Sequence, residues 1–339
     1  MAPVNQAAWL DGGGKKLRVA DSEYPSPGAD EIVIKNHAIA INPVDWKIQD
    51  HGLFIKNWPA ILGTDMAGEV VEVGSNVSKF KKGDRVISHS VALATGNNAG
   101  AGFQLYSTAP AATSVVLPSN VSYNEGVVLP LAIDTAAVGL YSKDKGFLGL
   151  QYPSLNPTSS GKTIVVWGGS ASVGTAVIQL AVASGAKVVA VASKHNHDFV
   201  KSLGASEAVD YNNPSVVEDV VKAVQSIGGD FAGAYDAISN EASYKYVAPI
   251  VEKLGGGSVA IVLPPPQEGP ENVQFGSVFG VSPITHQIWS EYLGPALEQG
   301  KLKAVPEPLV VGKGLESVQK GLDTNKAGVS AKKVVIELV

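Results

Sequence analysis

From residue 162 onward, short apolar runs alternate with longer stretches of helical period. That alternation predicts a parallel α/β sheet. Thr163-Ile164-Val165-Val166-Trp167 reads as a strand buried on both faces, with a helix over 173–184 after it. Further strands are expected over 187–192, 208–211, 231–236 and 258–263, with helices over 196–203, 216–227 and 244–254 between them. Residues 274–280 add a candidate sixth strand. The first 125 residues are patterned differently. Strand-like runs over 31–35, 68–74, 83–87 and 113–118, separated by turns, predict a small barrel or a sandwich-like fold. Ser122 and Glu125 fit a capping box opening a helix toward Leu140, with a break at Pro130. Residues 149–161, rich in Pro, Ser, Asn and Gly, read as a surface loop, residues 287–298 as a helix, and residues 332–339 as a terminal strand in need of a partner.

Composition narrows the function classes. The chain has 339 residues, 45% hydrophobic and 17% charged, which is a globular balance at a length that favours two domains. Its net charge of −5 supplies no basic field for nucleic acid or an anionic membrane surface. There are no cysteines, which removes disulfides, zinc thiolates, iron–sulfur clusters and thiol nucleophiles together. None of the six histidines forms a tight metal-spaced set, so no metal is expected. The first residues carry neither a basic segment nor an apolar run, and no window reaches the roughly 18 apolar residues of a membrane helix, so a cytoplasmic chain is expected.

The chemistry begins where strand 163–167 meets Gly168-Gly169-Ser170-Ala171-Ser172-Val173-Gly174. A pyrophosphate needs close backbone approach and small side chains, and a following helix offers free N–H groups and a favourable dipole. The spacing Gly169, Ala171, Gly174 matches the dinucleotide fingerprint with Ala in the middle position. NAD-binding sheets place an acid at the end of the next strand to hold the ribose 2′-OH. This chain has Ser193-Lys194-His195-Asn196 instead, which suits a 2′-phosphate and therefore NADP(H). Tyr211, ending the third strand, is placed to flank the adenine.

Several segments resemble the medium-chain dehydrogenase/reductase superfamily in its zinc-free branch, above all the fungal trans-acting enoyl reductases and the related quinone oxidoreductases. They are Ile41-Asn42-Pro43-Val44-Asp45-Trp46-Lys47, Leu62-Gly63-Thr64-Asp65-Met66-Ala67-Gly68, Val73-Gly74…Val77…Phe80-Lys81-Lys82-Gly83-Asp84-Arg85-Val86, the Gly-rich turn, and Leu131-Ala132-Ile133-Asp134-Thr135-Ala136. The resemblance implies a Rossmann doubly wound parallel sheet inserted into a GroES-like, β-rich catalytic domain. Residues 1–124 and 300–339 would form the catalytic part and residues 125–299 the NADP-binding domain. In zinc enzymes of the superfamily a cysteine would stand at Asn42 and a His-Glu pair at Thr64-Asp65, so the usual zinc site is not expected.

By the same resemblance, Pro43, Val44, Asp45, Trp46 and Lys47 approach the nicotinamide half. Gly169, Ser170, Ala171, Ser172 and Val173 hold the pyrophosphate, and Ser193, Lys194, His195, Asn196 and Tyr211 hold the phosphoadenosine. Val262 and Leu263 touch the nicotinamide ribose, Val329 and Ser330 close the site from the tail, and Leu129, Ile133, Asp134 and Thr135 line the substrate side. No residue declares itself a catalytic acid; Lys47, Tyr106 and Asp65 are the candidates, each with a structural role as its alternative. The implied activity is hydride transfer to a conjugated C=C bond of an enoyl thioester or enone, or to a quinone. A small-molecule substrate is implied, an acyl-carrier or polyketide-synthase partner is compatible with the resemblance, and the chain would be a monomer or homodimer. A zinc-independent alcohol dehydrogenase and a non-catalytic NADPH-binding structural or regulatory protein stay open as alternatives.

Overall fold

A computed structural model describes residues 3–339. The chain forms two compact units, one of residues 1–131, 289–300 and 304–339, the other of residues 132–288 and 301–303.

The first unit is β-rich. Strand Asn5–Leu10 lies between Arg18–Ser22 and Ala60–Ile61 in a three-stranded antiparallel sheet. A larger sheet runs in the order Glu307–Lys313, Lys332–Glu337, Glu31–Ala40, Asp65–Val73, Arg85–His89, Ser114–Val116, with Tyr106–Pro110 also paired to Glu31–Ala40. The tail strand therefore finds its partner in this unit, Val335 opposite Ala40. Glu31–Ala40 is twice as long as the 31–35 run predicts. Its register against Asp65–Val73 slips at Val33/Ile34 and again at Asn36/Ala38. A bulge changes which positions share a face. Ile32 and Ile34 accordingly join one core with Met66, Val70 and Val86, while Ile39 joins another with Leu10, Phe103 and Ile336.

The second unit is a six-stranded parallel sheet in the order Glu207–Asp210, Lys187–Ala192, Lys162–Trp167, Asp230–Asp236, Gly257–Ile261, Val273–Ser277. This is the doubly wound order, reversing between the first and fourth strands. Val216, Val220 and Val224, spaced by four on one helix face, pack with Val165, Val189, Ala234 and Val259.

Two of the predicted helices are interrupted, the first at the break expected from Pro130. The helix from Ser122 toward Leu140 is split into Tyr123–Gly126 and Pro130–Tyr141. The capping box forms, Ser122 N–H donating to Glu125 Oε2 at 2.8 Å and Glu125 N–H to Ser122 Oγ at 3.2 Å. Pro130 opens the second helix, where its missing N–H costs nothing. The 287–298 helix divides into a wide turn, Ile288–Tyr292, and Leu293–Glu298. Helices Pro43–His51 and Val318–Ala327, and strands Asn5–Leu10, Arg18–Ser22, Tyr106–Pro110 and Glu307–Lys313, add to what periodicity suggests. Among the described residues no helix is long and apolar enough to cross a membrane.

Candidate functional site

In the second unit the Gly-rich turn leaves strand Lys162–Trp167 and enters helix Ser172–Ala183. Gly168 has φ +75°, and its N–H and that of Gly169 donate to Val191 O at 3.0 and 2.9 Å, fixing the turn to the neighbouring strand. A Cβ on Gly174 would lie 2.1 Å from Gly168 O, so only glycine lets the helix start this close to the turn. No side chain caps the helix at Ala171, and Ser172 Oγ is buried without a hydrogen-bond partner. An uncapped N-terminus beside an orphaned hydroxyl, in a cradle that one Cβ would fill, fits an anionic pyrophosphate.

The next strand's end is joined to that turn. Asn196 Nδ2 donates to Ser170 Oγ and to Ser193 Oγ, both at 3.1 Å, and Ser193 Oγ lies 3.3 Å from His195 Nε2. Lys194 and His195 are exposed beside this network, and Tyr211 is 44% exposed. Across the switch point, buried Asp236 accepts the N–H groups of Ile238 and Ser239 at 2.9 Å and the Ser243 hydroxyl at 2.5 Å. Burial holds its carboxyl above the usual range, and the Ser243 hydrogen bond works against that. Ser239, at φ +54°, accepts the Val262 N–H at 2.9 Å and so ties the ends of two strands together. Sequence reasoning misses this knot, because Asp236 reads simply as the last residue of a strand.

In the first unit a second cluster is wholly buried. Asn42, Asp45, Thr64, Asp65 and Lys333 are each at most 3% exposed. Asn42 Nδ2 donates to Thr64 Oγ1 at 3.0 Å and to Asp65 Oδ2 at 2.8 Å. Lys333 Nζ donates to Asn42 Oδ1 at 2.5 Å and pairs with Asp65 Oδ2 at 3.0 Å. Asp65 Oδ1 accepts the N–H of Leu131 at 2.6 Å. Asp45 Oδ2 accepts the Asn42 N–H at 2.7 Å, while its Oδ1 has no hydrogen-bond partner. Burial, reinforced by the nearby Asp65 charge, pushes the Asp45 carboxyl up to about 7. Lys333 is absent from the sequence reading. The available signal is a lysine among apolar residues in a terminal strand, and that does not name its partners.

The three candidate acids separate on this geometry. Asp65 is committed to Lys333, Asn42 and Leu131. Tyr106 pairs with Lys35, whereas Asp65 pairs with Ala40, five residues along the same strand and roughly 16 Å away. The Tyr106 ring packs 5.0 Å from that of Tyr24. Lys47 is half-buried with Nζ 5.5 Å from the centre of the Trp46 ring, and burial lowers its pKa. Val44, Trp46 and Val329 pack against one first-unit core, with Pro43 and Ser330 exposed. Leu129, Ile133 and Asp134 are fully buried, while Thr135 keeps some exposure and its carbonyl accepts the Tyr235 hydroxyl at 2.7 Å. Val262 and Leu263 are partly exposed just beyond the end of the interior strand Gly257–Ile261.

Residues 28–119 match the alcohol dehydrogenase GroES-like domain and residues 172–279 match the zinc-binding dehydrogenase family. The chain is 45% identical to Dehydrogenase orsE of Emericella nidulans, with 99% of each chain covered. It is 43% identical to Trans-enoyl reductase himH of Aspergillus japonicus, covering 99% of this chain and 98% of the relative. A solved mycobacterial structure complexed with NADPH superposes with a TM-score of 0.72 at 22% identity, covering 98% of this chain and 99% of that one, a likeness of fold. The zinc implied by the second family's description does not fit the residues here. An amide and a hydroxyl replace strong zinc donors at Asn42 and Thr64, and the Lys333 ammonium already sits between Asn42 and Asp65. Among the described residues no group of three or more His, Cys, Asp or Glu could hold a metal ion.

Proposed function

The chain belongs to the medium-chain dehydrogenase/reductase superfamily and is an oxidoreductase, and from that premise we propose that it uses NADPH to reduce a conjugated C=C bond of an enoyl thioester or enone. The observation that carries the reading is the donor set around Lys333. With the Lys333 ammonium held by Asn42 and Asp65, and Thr64 bonded to Asn42, these residues do not make a donor set for a Lewis acid that would polarise an isolated alcohol or carbonyl oxygen. A conjugated alkene needs less, because the charge developing on hydride addition is delocalised onto its own carbonyl. The 43% identity to a protein named trans-enoyl reductase supports the same substrate class.

The chain's residues divide the work as follows. Gly169, Ser170, Ala171, Ser172 and Val173 would hold the pyrophosphate, with Ser172 Oγ gaining the partner it lacks. Ser193, Lys194, His195 and Asn196 would hold the 2′-phosphate, and Tyr211 would flank the adenine. Val262 and Leu263, and Pro43, Val44, Trp46, Lys47, Val329 and Ser330, would surround the nicotinamide half, with Asp45, wholly buried, behind the start of helix Pro43–His51 and not in contact. Bound NADPH supplies the hydride. Thr135, with Leu129, Ile133 and Asp134 behind it, would face the substrate. Lys47 Nζ is the proton source we favour: its ammonium is eased toward losing a proton by burial, and the other two candidates are committed elsewhere.

The test follows the nicotinamide absorbance with NADPH or NADH against enoyl thioesters, enones, quinones and simple alcohols. Steady NADPH oxidation with a conjugated acceptor, and little with NADH, is expected. Turnover of alcohols alone would replace the reading with a dehydrogenase, and tight NADPH binding without turnover of any acceptor would replace it with a binding protein.

A further inference from the structure

We propose that the Lys333 ammonium is a positioning cation that clamps together the first turns of the two helices carrying the proposed cofactor and substrate contacts. The word positioning rests on the reductase reading above; the clamp itself rests on the first unit's geometry. Lys333 lies on strand Lys332–Glu337 and is 3% exposed. Its Nζ is held by Asn42 Oδ1 at 2.5 Å and Asp65 Oδ2 at 3.0 Å. Asn42 is the N-cap of helix Pro43–His51, whose first turns carry Trp46 and Lys47. Asp65 spends its second oxygen on the Leu131 N–H at 2.6 Å, in the first turn of helix Pro130–Tyr141, which carries Thr135. Asn42 Nδ2 closes the ring onto Asp65 Oδ2 at 2.8 Å. One cation thus joins the tail strand, a strand start and two helix starts.

Stability alone does not account for such a group. Val334, Val335 and Ile336 beside it are wholly buried and apolar. A buried ion pair is worth no more than well-packed apolar residues of similar size. What it adds is directional stiffness, because charge-assisted hydrogen bonds in low-dielectric surroundings tolerate little displacement.

The experiment compares wild type with Lys333→Met and Lys333→Ala in the full-length protein. Three quantities are read: kcat with an enoyl thioester, the NADPH dissociation constant, and amide hydrogen exchange at residues 42–46 and 131–135. The expected result is a kcat lowered about 10- to 100-fold, as for misplacement by about an ångström. The NADPH dissociation constant should move less than about three-fold, since it is dominated by phosphate contacts on the other unit. Faster exchange should be confined to the two helix starts. Propylammonium in the buffer should restore part of the Lys333→Ala kcat and do nothing for wild type. A Lys333→Met enzyme with unchanged kcat and unchanged exchange overturns the proposal. So does a kcat loss that amine cannot rescue and that comes with an equal loss of NADPH binding. If Lys333→Ala fails to fold, Lys333→Met/Asp65→Asn removes both charges together. Folded double variant with wild-type kcat overturns the proposal, and folded double variant with the lowered kcat supports it. Hydrogen exchange needs no substrate, so a wild type that reduces no conjugated acceptor defeats the functional reading while the clamp is still judged.

Discussion

Replacing Asp45 with Asn should remove a pH dependence of stability that is built into the first unit. Asp45 is wholly enclosed, accepts the Asn42 N–H on Oδ2, and has no hydrogen-bond partner of ordinary geometry at Oδ1. Burial, with Asp65 beside it, raises the carboxyl from 3.8 to about 7, and the Lys333 ammonium only partly offsets this. The sign follows from proton counting. Between those two values the folded chain holds a proton that the unfolded chain has released, so stability falls as pH rises and levels off above about 7. Three pH units of separation correspond to about 4 kcal/mol over the whole range, and to about 3 kcal/mol between about pH 5 and about pH 7.5. Asn is nearly isosteric and does not titrate, so the difference between wild type and Asp45→Asn isolates this group. For a unit of about 180 residues, about 3 kcal/mol is a relative shift of roughly 6–12 °C in melting temperature. Melting NADPH-free wild type and Asp45→Asn at the two pH values gives the answer. Wild type should lose ground to the variant as pH rises. A difference that stays constant to within about 0.5 kcal/mol would refute a protonated, buried Asp45.

Three further outcomes are expected. Lys194→Ala should weaken NADPH binding about ten-fold, the loss of one solvent-exposed charge-assisted hydrogen bond, and leave NADH binding unchanged; titration of both nucleotides checks it, and equal losses would contradict the 2′-phosphate assignment. Gly174→Ala places a Cβ 2.1 Å from Gly168 O, so the turn must open, and NADPH affinity should fall about 10- to 100-fold by the same titration. Ser122→Ala removes the hydroxyl that receives the Glu125 N–H and should cost about 1 kcal/mol, seen as a lower melting temperature with NADPH binding intact.

The second unit is legible in the sequence because its physics is local. Parallel strands covered on both faces are written as unbroken apolar runs, and residues 163–167 and 188–192 are buried throughout. The nucleotide turn is legible for the same reason, since strand, small residues and helix are contiguous. The first unit hides behind its irregularities. Glu31–Ala40 slips register twice, so its alternation fades after residue 35. Helix Pro43–His51 has few apolar positions. Its ends are set by Pro43 at the start and by Gly52 at φ +67°, whose N–H reaches Ile48 O at 2.8 Å. The candidate acids could be named from the chain but not ranked, because rank depends on neighbours. Asp65 is disqualified as a free acid by a lysine 268 positions away in sequence, and that lysine meets Asn42 across a separation of 291.

That long-range pairing also explains why two carboxyl groups in one buried cluster behave differently. The Lys333 ammonium carries one charge and sits 3.0 Å from Asp65 Oδ2, with Asn42 Oδ1 as its other acceptor. Asp45 accepts the Asn42 N–H and has no cation in contact. Two buried carboxylates against one ammonium leave an excess negative charge that a low-dielectric interior resists. The cheapest neutralisation available is a proton, and it goes to the carboxyl with the unpartnered oxygen. The raised Asp45 and the paired Asp65 are therefore two consequences of one arrangement, a single ammonium in a cluster that holds two buried carboxyl groups. Asp65, held by Lys333, Asn42 and the Leu131 N–H, orders backbone, and Asp45 is the carboxyl of the cluster that burial pushes up to about 7.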